Sequence, residues 1–319
     1  MSSNPTQVNN FFGEDKILVT GASGLLGRNV YKYLKSHGLN VVGTYHNHSK
    51  PDLIKCDLTD YKQTKELLER ENIKYVFMFA AIAHGVGILS IRPETLIREN
   101  LMITSNMLEL CYYAKVKKVF FCSSSSVYHE ANYHIKEEEY DLNKEPSKYY
   151  FGNGWMKRYS EKLCEFYNRL GMKVVMMRPG NIYGKYDKSD VNAHFIPAII
   201  QRLLGNPKEL EIWGDGTPYK NLIYAEDLAR DSVLMMTGYD SIQPLNVASD
   251  TNATVGEIVN LLVKIAKYEG KIVYNSSKPN AIQYRGLDTT KFNNIFGKQK
   301  YTSLEEGLVT TFRWIKNDK

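Results

Sequence analysis

Short runs of apolar residues alternate along the chain with segments in which apolar residues recur every three or four positions. The apolar runs, predicted to be strands, cover 16–20, 40–45, 75–81, 118–122 and 173–178. Helical spacing between them covers 28–37, 61–72, 95–115 and 154–170. Strands that are apolar throughout need cover on both faces, and helices packed on both faces of a parallel sheet supply it. The predicted fold class is therefore α/β, with a doubly wound parallel sheet.

The alternation weakens after Pro179, which predicts a second, smaller lobe. Residues 182–220 are richer in Gly, Asp, Asn and Tyr, whereas 222–248 return to a helix followed by a strand. We expect the smaller lobe to close over the carboxyl ends of the strands and to bind the substrate there. The predicted division is a flexible tail at 1–14, a sheet domain at 15–181 and 222–248, and a smaller C-terminal lobe at 182–221 and 249–319.

The composition is that of an ordinary globular protein. Apolar residues make up 43% of the chain and charged residues 24%, and the net charge of +6 includes no block of five like charges. We therefore expect no nucleic-acid partner. The polar first ten residues lack the apolar core of a signal peptide, and no apolar run reaches membrane-spanning length. Cys56, Cys111, Cys122 and Cys164 show neither CxxC nor zinc spacing, so we expect free thiols, no metal and a cytoplasmic protein.

A glycine-rich turn follows the first predicted strand and opens a helix, in Gly21-Ala-Ser-Gly24-Leu-Leu-Gly27. Gly21 permits the tight turn, Gly24 lets the backbone approach a pyrophosphate, and Gly27 lets helix and strand pack closely. Free N–H groups at the start of the helix then face the anion. This arrangement predicts a Rossmann-type dinucleotide site, although a tight turn without a ligand has the same spacing. The residues expected at the cofactor are Gly21, Ser23, Gly24, Leu25, Leu26 and Gly27.

The end of the second predicted strand bears on the choice of nicotinamide cofactor. An NAD site usually has an Asp or Glu here to accept the ribose 2′-hydroxyl, but no acid lies between residues 42 and 51. Thr44, His46, Ser49 and Lys50 suit a 2′-phosphate better than a carboxylate would. NADP(H) is therefore favoured over NAD(H), although a neutral strand end also accepts NAD(H).

A further candidate contact to the cofactor lies at Cys56-Asp57-Leu58, where the next apolar stretch ends. Asp57 and Leu58 are placed against the adenine, whose amino group the carboxylate would contact. The alternative is that Asp57 belongs, with Asp60, to the N-cap region of the following helix.

Four later motifs are more specific than the glycine turn. They are Leu163-Cys-Glu-Phe-Tyr-Asn-Arg169, Asn192-Ala-His-Phe-Ile-Pro-Ala198, Trp213-Gly-Asp-Gly-Thr-Pro218 and Ser303-Leu-Glu-Glu-Gly-Leu308. With Ala80-Ala81 at the end of the strand at 75–81, they make the chain resemble extended short-chain dehydrogenases that act on nucleotide sugars. It is most similar to the GDP-L-fucose synthase branch, over residues 16–316. The resemblance implies cofactor contacts at Ala80 and Ala81, and a homodimer that pairs two long helices.

In this family a Ser or Thr and a YxxxK pair carry the hydride chemistry. Hydride transfer at a sugar carbonyl requires a proton to move at the same carbon, and the tyrosine supplies it. The lysine lowers the pKa of the phenol and holds the nicotinamide ribose. The resemblance places the polarising hydroxyl at Ser124, the epimerisation base at Ser126 and the lysine at Lys157. Fucose synthases have a cysteine where this chain has Ser126, and a serine run also suits a turn that satisfies its own backbone.

The tyrosine of this pair is missing. Four residues before Lys157 the chain has Asn153, which follows Tyr149-Tyr150-Phe-Gly. An asparagine amide neither gives nor takes a proton at neutral pH, so it can only orient a water or a sugar hydroxyl. Three explanations stay open. Tyr149 or Tyr150 takes over, a water held by Asn153 and Ser124 relays the proton, or the enzyme performs no net reduction.

The same resemblance assigns further side chains to the substrate. His194 matches the epimerisation acid, and His84 is either an additional acid or an ordinary loop histidine. Nucleotide-sugar 4,6-dehydratases have Asp-Glu where this chain has Ser125 and Ser126, which argues against a dehydratase. The residues expected at the nucleotide sugar are His84, Asn181, Arg202, Trp213, Lys220 and Arg285.

The sequence therefore predicts an epimerase/reductase that uses a nicotinamide cofactor on a nucleotide-linked 4-keto sugar, with GDP as the favoured nucleotide. One alternative is a nucleotide-sugar 4-dehydrogenase or epimerase whose tightly bound cofactor is recycled. The other is a non-catalytic dinucleotide-binding regulatory subunit. Asn153 favours the regulatory subunit, whereas Lys157, His194 and Arg202 speak against it.

Overall fold

The computed structural model describes residues 5–82, 94–188, 193–278 and 282–317 of the chain. Its helices are α1 (Pro5–Phe12), α2 (Leu25–Ser36), α3 (Tyr61–Glu71), α4 (Glu94–Tyr113), α5 (Phe151–Arg169), α6 (Phe195–Leu204), α7 (Ala225–Gly238), α8 (Val255–Ala266), α9 (Thr290–Phe296) and α10 (Leu304–Asn317). Its strands are β1 (Ile17–Thr20), β2 (Val41–Tyr45), β3 (Ile54–Lys55), β4 (Tyr75–Met78), β5 (Lys118–Cys122), β6 (His134–Ile135), β7 (Val174–Pro179), β8 (Asn181–Tyr183), β9 (Glu209–Trp213), β10 (Tyr219–Tyr224), β11 (Leu245–Val247), β12 (Asn252–Thr254), β13 (Lys271–Asn275) and β14 (Tyr284–Leu287).

The central sheet has seven parallel strands in the order β11-β7-β5-β4-β1-β2-β3. β1 lies in its interior, and Ile17 is in register with Val41 of β2 on one side and Tyr75 of β4 on the other. The chain therefore winds outward from β1 in both directions, which opens a crevice at the carboxyl ends of β1 and β4. The predicted doubly wound α/β fold is confirmed.

Both faces of this sheet are buried, because successive side chains of a strand point to opposite faces. In β1, Ile17 and Val19 belong to an apolar cluster that α1, α2 and α7 cover. Leu18 belongs to a second cluster that α3, α4 and α5 cover. This is why the strands are apolar at every position rather than at every other one.

The N-terminal residues differ from the prediction. Residues 5–12 form α1 instead of a flexible tail, and the side chains of Val8 and Phe12 are only 1% exposed. The ring of Phe12 packs edge-on against Tyr75 of β4, with centroids 5.0 Å apart. Only three of the eight residues, Val8, Phe11 and Phe12, pack against the core, so the apolar pattern is too short to predict a helix from the sequence. The prediction of a flexible tail is wrong for these residues.

The smaller lobe is built on a second sheet in the order β12-β10-β14-β6, with β8 beside β10 and a separate β13-β9 pair. Helices α6, α8 and α10 pack around it, with Ile199, Ile258 and Phe312 in a third apolar cluster. In the parallel β10-β14 pair, Lys220 stands opposite Arg285. Within the described ranges, none of the helices has the length and apolar character needed to cross a membrane.

Candidate active site

The glycine turn lies against the end of β4, and its glycines are required there. Gly21 has a φ of +64°, and a Cβ on it would lie 2.8 Å from the backbone of Ala80. A Cβ on Gly27 would lie 2.2 Å from the carbonyl oxygen of Gly21. Gly24 is the N-cap of α2 and gives no side-chain hydrogen bond to the N–H groups that follow. These N–H groups are therefore available to an anion, and the turn fits a dinucleotide pyrophosphate.

Four of the predicted cofactor residues, Thr44, His46, Asp57 and Leu58, lie at the ends of β2 and β3. The carbonyl oxygen of Thr44 accepts a hydrogen bond from the N–H of Ala22 at 2.8 Å. His46 Nε2 lies 3.7 Å from Asp57 Oδ2, and Asp57 Oδ1 accepts from the hydroxyl of Thr59 at 2.7 Å. Leu58 is buried beneath them. Asp57 is thus already tied to its neighbours, while Asp60 provides the N-cap of α3.

An ion pair that the sequence reasoning missed stands beside this crevice. Arg28, in the first turns of α2, donates from Nη1 to both carboxylate oxygens of Asp52, at 3.0 and 2.9 Å. The side chain of Arg28 is 10% exposed and that of Asp52 is 44% exposed. Tyr31 also holds this loop, since its hydroxyl donates to the carbonyl oxygen of Asp52 at 3.0 Å. The available sequence signal was a basic residue directly after Gly27.

The serine run forms a tight turn at the carboxyl end of β5. Ser124 Oγ accepts from the N–H of Ser126 at 3.1 Å and so caps the short 3₁₀ turn Ser125–Val127. Asn153 Nδ2 donates to Ser126 Oγ at 2.9 Å, so the amide contacts Ser126 rather than Ser124. Ser124 is half-buried, whereas Ser126 is buried. Ser124 thus keeps a partly accessible hydroxyl beside the crevice.

Lys157 lies one helical turn after Asn153 and reaches the same end of the sheet. Its Nζ donates to the carbonyl oxygen of Cys122 at 2.9 Å and lies 4.9 Å from the centroid of the Phe121 ring. Burial lowers the pKa of this ammonium group. Because β5 neighbours β4, and β4 neighbours β1, Lys157 stands on the sheet edge that carries the glycine turn.

A buried ionic network supports the serine turn from below, and the sequence reasoning missed it. Arg178 donates to both carboxylate oxygens of Glu161, at 2.9 and 2.6 Å, and each of the two side chains is 2% exposed. The same carboxylate accepts from Ser123 Oγ at 2.5 Å. Arg178 also donates to the hydroxyl of Tyr128 at 2.9 Å. A sequence signal existed, because Glu161 lies one further turn after Lys157.

One predicted substrate residue, Arg285, contacts the serine turn, and a second, Lys220, lies beside it in the sheet. Arg285 Nε donates to Ser125 Oγ at 2.9 Å, and its guanidinium carbon lies 4.8 Å from the centroid of the Tyr150 ring. Lys220 is the neighbour of Arg285 across the β10-β14 pair. Burial, together with the positive charge of Arg285, lowers the pKa of Lys220 to about 8. Two cations therefore stand side by side, and one of them, Arg285, contacts the serine turn.

Other predicted residues have their described contacts elsewhere. Arg202 Nη1 donates to the carbonyl oxygen of Glu211 in β9, and Trp213, two residues later, is 44% exposed. Asn181 Nδ2 donates to the carbonyl oxygen of Asn221 at 3.1 Å, within the second sheet. Neither contact joins these side chains to the serine turn.

His194 is the N-cap of α6, and its Nδ1 lies 2.8 Å from Asp187 Oδ1. Burial opposes the charged imidazole, but the hydrogen bond and charge of Asp187 outweigh it and raise the pKa of His194. His84 lies outside the described residues. Among the residues that the structure describes, no group of His, Cys, Asp and Glu could hold a metal ion.

The chain is similar to known proteins in sequence and in fold. The sequence profile of the NAD dependent epimerase/dehydratase family matches residues 17–248. GDP-L-colitose synthase from Yersinia pseudotuberculosis is 30% identical over 95% of this chain and 99% of that protein. GDP-L-fucose synthase from Escherichia coli K12 is 27% identical over 94% of this chain and 96% of that protein. The solved UDP-glucose 4-epimerase of Thermotoga maritima, with UDP-glucose, superposes with a TM-score of 0.86 at 25% identity, over 95% of this chain and 99% of that one.

Proposed function

Because the chain belongs to the NAD dependent epimerase/dehydratase family, we propose that it is an epimerase/reductase acting on a GDP-linked 4-keto sugar with NADP(H). One observation carries the proposal. Arg285 is hydrogen-bonded to the serine turn at 2.9 Å while Lys220 stands beside it, so a diphosphate bound by both cations leaves its sugar next to Ser124. Such an arrangement suits a nucleotide sugar better than a free sugar.

The nucleotide is taken to be GDP because of the relatives. Both the Yersinia and the Escherichia coli proteins are named for GDP-linked sugars. The exposed ring of Trp213, at the end of β9, offers a platform on which a purine base stacks. Arg202 lies near it, since it binds the backbone two residues earlier in that strand.

The choice of NADP(H) rests on the charges behind the glycine turn. The guanidinium group of Arg28, in α2, lies close to the end of β2, where the adenosine ribose binds in folds of this type. Lys50 is a second cation in the loop that follows β2. A phosphate on the ribose would be favoured by both.

The proposed roles of the catalytic residues follow from their positions. The cofactor, when bound, supplies the hydride. Ser124 donates a hydrogen bond to the sugar carbonyl, and Lys157 holds the nicotinamide ribose. His194, whose pKa Asp187 raises, is the acid of the epimerisation, with Ser126 at the position of its base.

The proposal includes a homodimer and a cytoplasmic location. Exposed apolar side chains on the neighbouring helices α4 and α5 support the dimer, among them Tyr113 and Phe166. Four free cysteines support a reducing compartment.

The direct test is incubation of the purified protein with NADPH and GDP-4-keto-6-deoxymannose in deuterated water. We expect one NADPH oxidised per sugar reduced, with deuterium incorporated at epimerised carbons. The matched controls are the UDP- and dTDP-linked 4-keto sugars, which should react poorly. Deuterium at C3 or C5 without NADPH oxidation would contradict the reductase, and absence of any reaction with the whole panel would contradict an enzyme of this class.

A second candidate, a non-catalytic dinucleotide-binding subunit, is favoured by one observation. Position 153 carries an amide that donates to Ser126, where an enzyme of the family has its proton donor. In that case the purified protein should bind a nicotinamide cofactor tightly and turn over none of the nucleotide sugars of the panel. Fluorescence titration with NADPH measures the binding, and NADPH oxidation with the panel decides between a catalytic and a non-catalytic protein.

A further inference from the structure

We propose that Tyr150 is the proton donor that takes the place of the tyrosine missing at position 153. The inference rests on the proposed function, because a donor is needed only where a sugar carbonyl is reduced. Asn153 cannot serve, since an amide gives no proton at neutral pH and its Nδ2 is already bound to Ser126.

Tyr128 and Tyr149 are two other tyrosines in this part of the chain. Tyr128 is buried, and its hydroxyl is bound on both sides, accepting from Arg178 at 2.9 Å and donating to Asn246 at 2.7 Å. Tyr149 is 36% exposed, with Lys148 over its ring at 5.3 Å. Neither is suited to give a proton to a bound sugar.

Tyr150 is placed differently. It is the N-cap of α5, three residues before Asn153, so both lie on the same side of the helix start. Its half-buried ring lies under the guanidinium group of Arg285, at 4.8 Å, and Arg285 is bound to Ser125 at 2.9 Å. One guanidinium group therefore separates the phenol ring from the serine turn.

The same contact supplies charge where the reaction needs it. The phenol becomes an anion when it gives up its proton, and the contact places the positive charge of Arg285 4.8 Å from the centroid of its ring. Arg285 also belongs to the proposed diphosphate clamp with Lys220. Substrate binding and the position of the phenol are thus linked through one side chain.

The proton and electron balance of the step is simple. The carbonyl carbon of the sugar accepts a hydride from the reduced nicotinamide, and the two electrons of the C=O π bond move to the oxygen. The oxygen forms its new O–H bond with the proton of the Tyr150 hydroxyl. Solvent then returns a proton to the phenolate, so the overall reaction consumes one NADPH and one proton for each alcohol formed.

The test compares Tyr150→Phe with Tyr149→Phe in single-turnover NADPH oxidation with GDP-4-keto-6-deoxymannose. Phenylalanine keeps the ring under Arg285 and removes only the hydroxyl. For Tyr150→Phe we expect hydride transfer to slow by about 100-fold or more, with the Kd for NADPH within about twofold of that of the original protein. The neighbouring variant, Tyr149→Phe, should change neither value by more than about twofold.

A rescue variant separates chemistry from structure. The double variant Tyr150→Phe/Asn153→Tyr restores a phenol at the usual position. Its rate of hydride transfer should be at least tenfold higher than that of Tyr150→Phe. Retention of the original rate by Tyr150→Phe alone would overturn the role of Tyr150 while leaving the proposed function in place. The role of Tyr150 would also be overturned if Tyr150→Phe transferred hydride slowly, bound NADPH or the sugar much more weakly, and was not rescued by the double variant. The hydroxyl would then be structural. If the unaltered protein reduced no sugar of the panel, both proposals would fall.

Discussion

Arg28 joins two parts of the chain that a dinucleotide must bridge. It stands one residue after the glycine turn, yet its guanidinium group binds Asp52 in the loop behind β2. A 2′-phosphate bound here would lie beside the guanidinium group of Arg28, which the carboxylate of Asp52 already orients. Without the phosphate, the ribose 2′-hydroxyl could donate a hydrogen bond to the half-exposed carboxylate of Asp52. The balance between these two charges therefore sets the cofactor preference.

This balance gives the first prediction. Arg28→Lys keeps the charge but loses the planar guanidinium group, and we expect the Kd for NADPH to rise by about tenfold to 100-fold, which corresponds to the loss of one or two charge-assisted hydrogen bonds. The Kd for NADH should change by less than about threefold. Fluorescence titration of both cofactors measures the ratio. The matched variant Asp52→Asn removes the competing charge and should leave NADPH binding intact, and a loss of NADH binding there alone would assign the preference to Asp52.

Lys220 gives a prediction about pH. Its pKa is lowered to about 8, so near pH 8 about half of the free protein carries a neutral amine. A bound diphosphate favours the charged form, so GDP binding should take up a proton, and affinity should fall as pH rises above 8. Calorimetry in two buffers with different heats of ionisation measures this uptake.

The control for that experiment is a change to arginine. Lys220→Arg stays charged throughout this pH range, so proton uptake near pH 8 should disappear. Lys208→Arg, at an exposed position, should leave it unchanged. Equal uptake in all three proteins would exclude Lys220 as the group that titrates.

Residues were predictable from the sequence where local spacing determines their place. The three glycines, the serine turn and Lys157 all belong to short motifs at strand ends, and the structure brings them to one sheet edge. Arg28 and Asp52 could not be paired in advance, because 24 residues separate them. Arg285 lies 160 residues from Ser125, so only the fold reveals their contact.

At the scale of elements, α5 joins the chemistry to the stability of the fold. Asn153, Lys157 and Glu161 follow one another at intervals of four residues, so they share one face of the helix. The first two reach the serine turn and Cys122, while Glu161 is buried against Arg178. Because Glu161 also accepts a hydrogen bond from Ser123, a substitution at Glu161 affects the serine turn through Ser123.

We predict that Glu161→Gln lowers the free energy of unfolding by roughly 3–5 kcal/mol, because it leaves the buried charge of Arg178 unpaired. Urea denaturation followed by fluorescence measures the change. The matched control on the same helix is Glu165→Gln, which removes a surface ion pair with Lys162 and should cost less than about 1 kcal/mol. Similar losses for both variants would mean that burial of the Glu161 pair does not matter.

The elements themselves were predictable to different degrees. The strand at Lys118–Cys122 has the predicted bounds, because its apolar run is buried on both faces and polar residues flank it. The strand predicted to reach residue 81 ends at Met78, since the backbone of Phe79 and Ala80 turns to bind the Thr20 hydroxyl. α1 was missed because only Val8 and Phe12 of its eight residues are buried, with Phe11 partly buried beside them.

At the scale of the whole molecule, the pair of helices α4 and α5 leaves apolar surface uncovered. Tyr113 on α4 and Tyr159 and Phe166 on α5 are each more than half exposed, at 66%, 55% and 53%. The two helices pack on each other, as the Tyr112 and Tyr167 rings 5.9 Å apart show. A two-fold axis on this face would bury the same residues of both copies.

The corresponding prediction is that Phe166→Glu converts a dimer into a monomer of 36.6 kDa. A charge at the centre of a self-complementary apolar patch meets its own copy, which costs several kcal/mol. Sedimentation equilibrium measures the mass. Ile295→Glu, at an exposed apolar position on α9, is the control and should not change it. If the unaltered protein were a monomer, there would be no such interface. If Phe166→Glu remained a dimer, the interface would lie elsewhere.

The borders of the central sheet have a consequence for how this protein behaves in crowded solution. β3 spans two residues and β11 spans three. Edge strands this short offer a neighbouring chain few unpaired backbone N–H and C=O groups. They are therefore poor templates for fibre growth by pairing of sheets. Association is then left to side chains on helices, which favours closed particles of defined size over open-ended polymers.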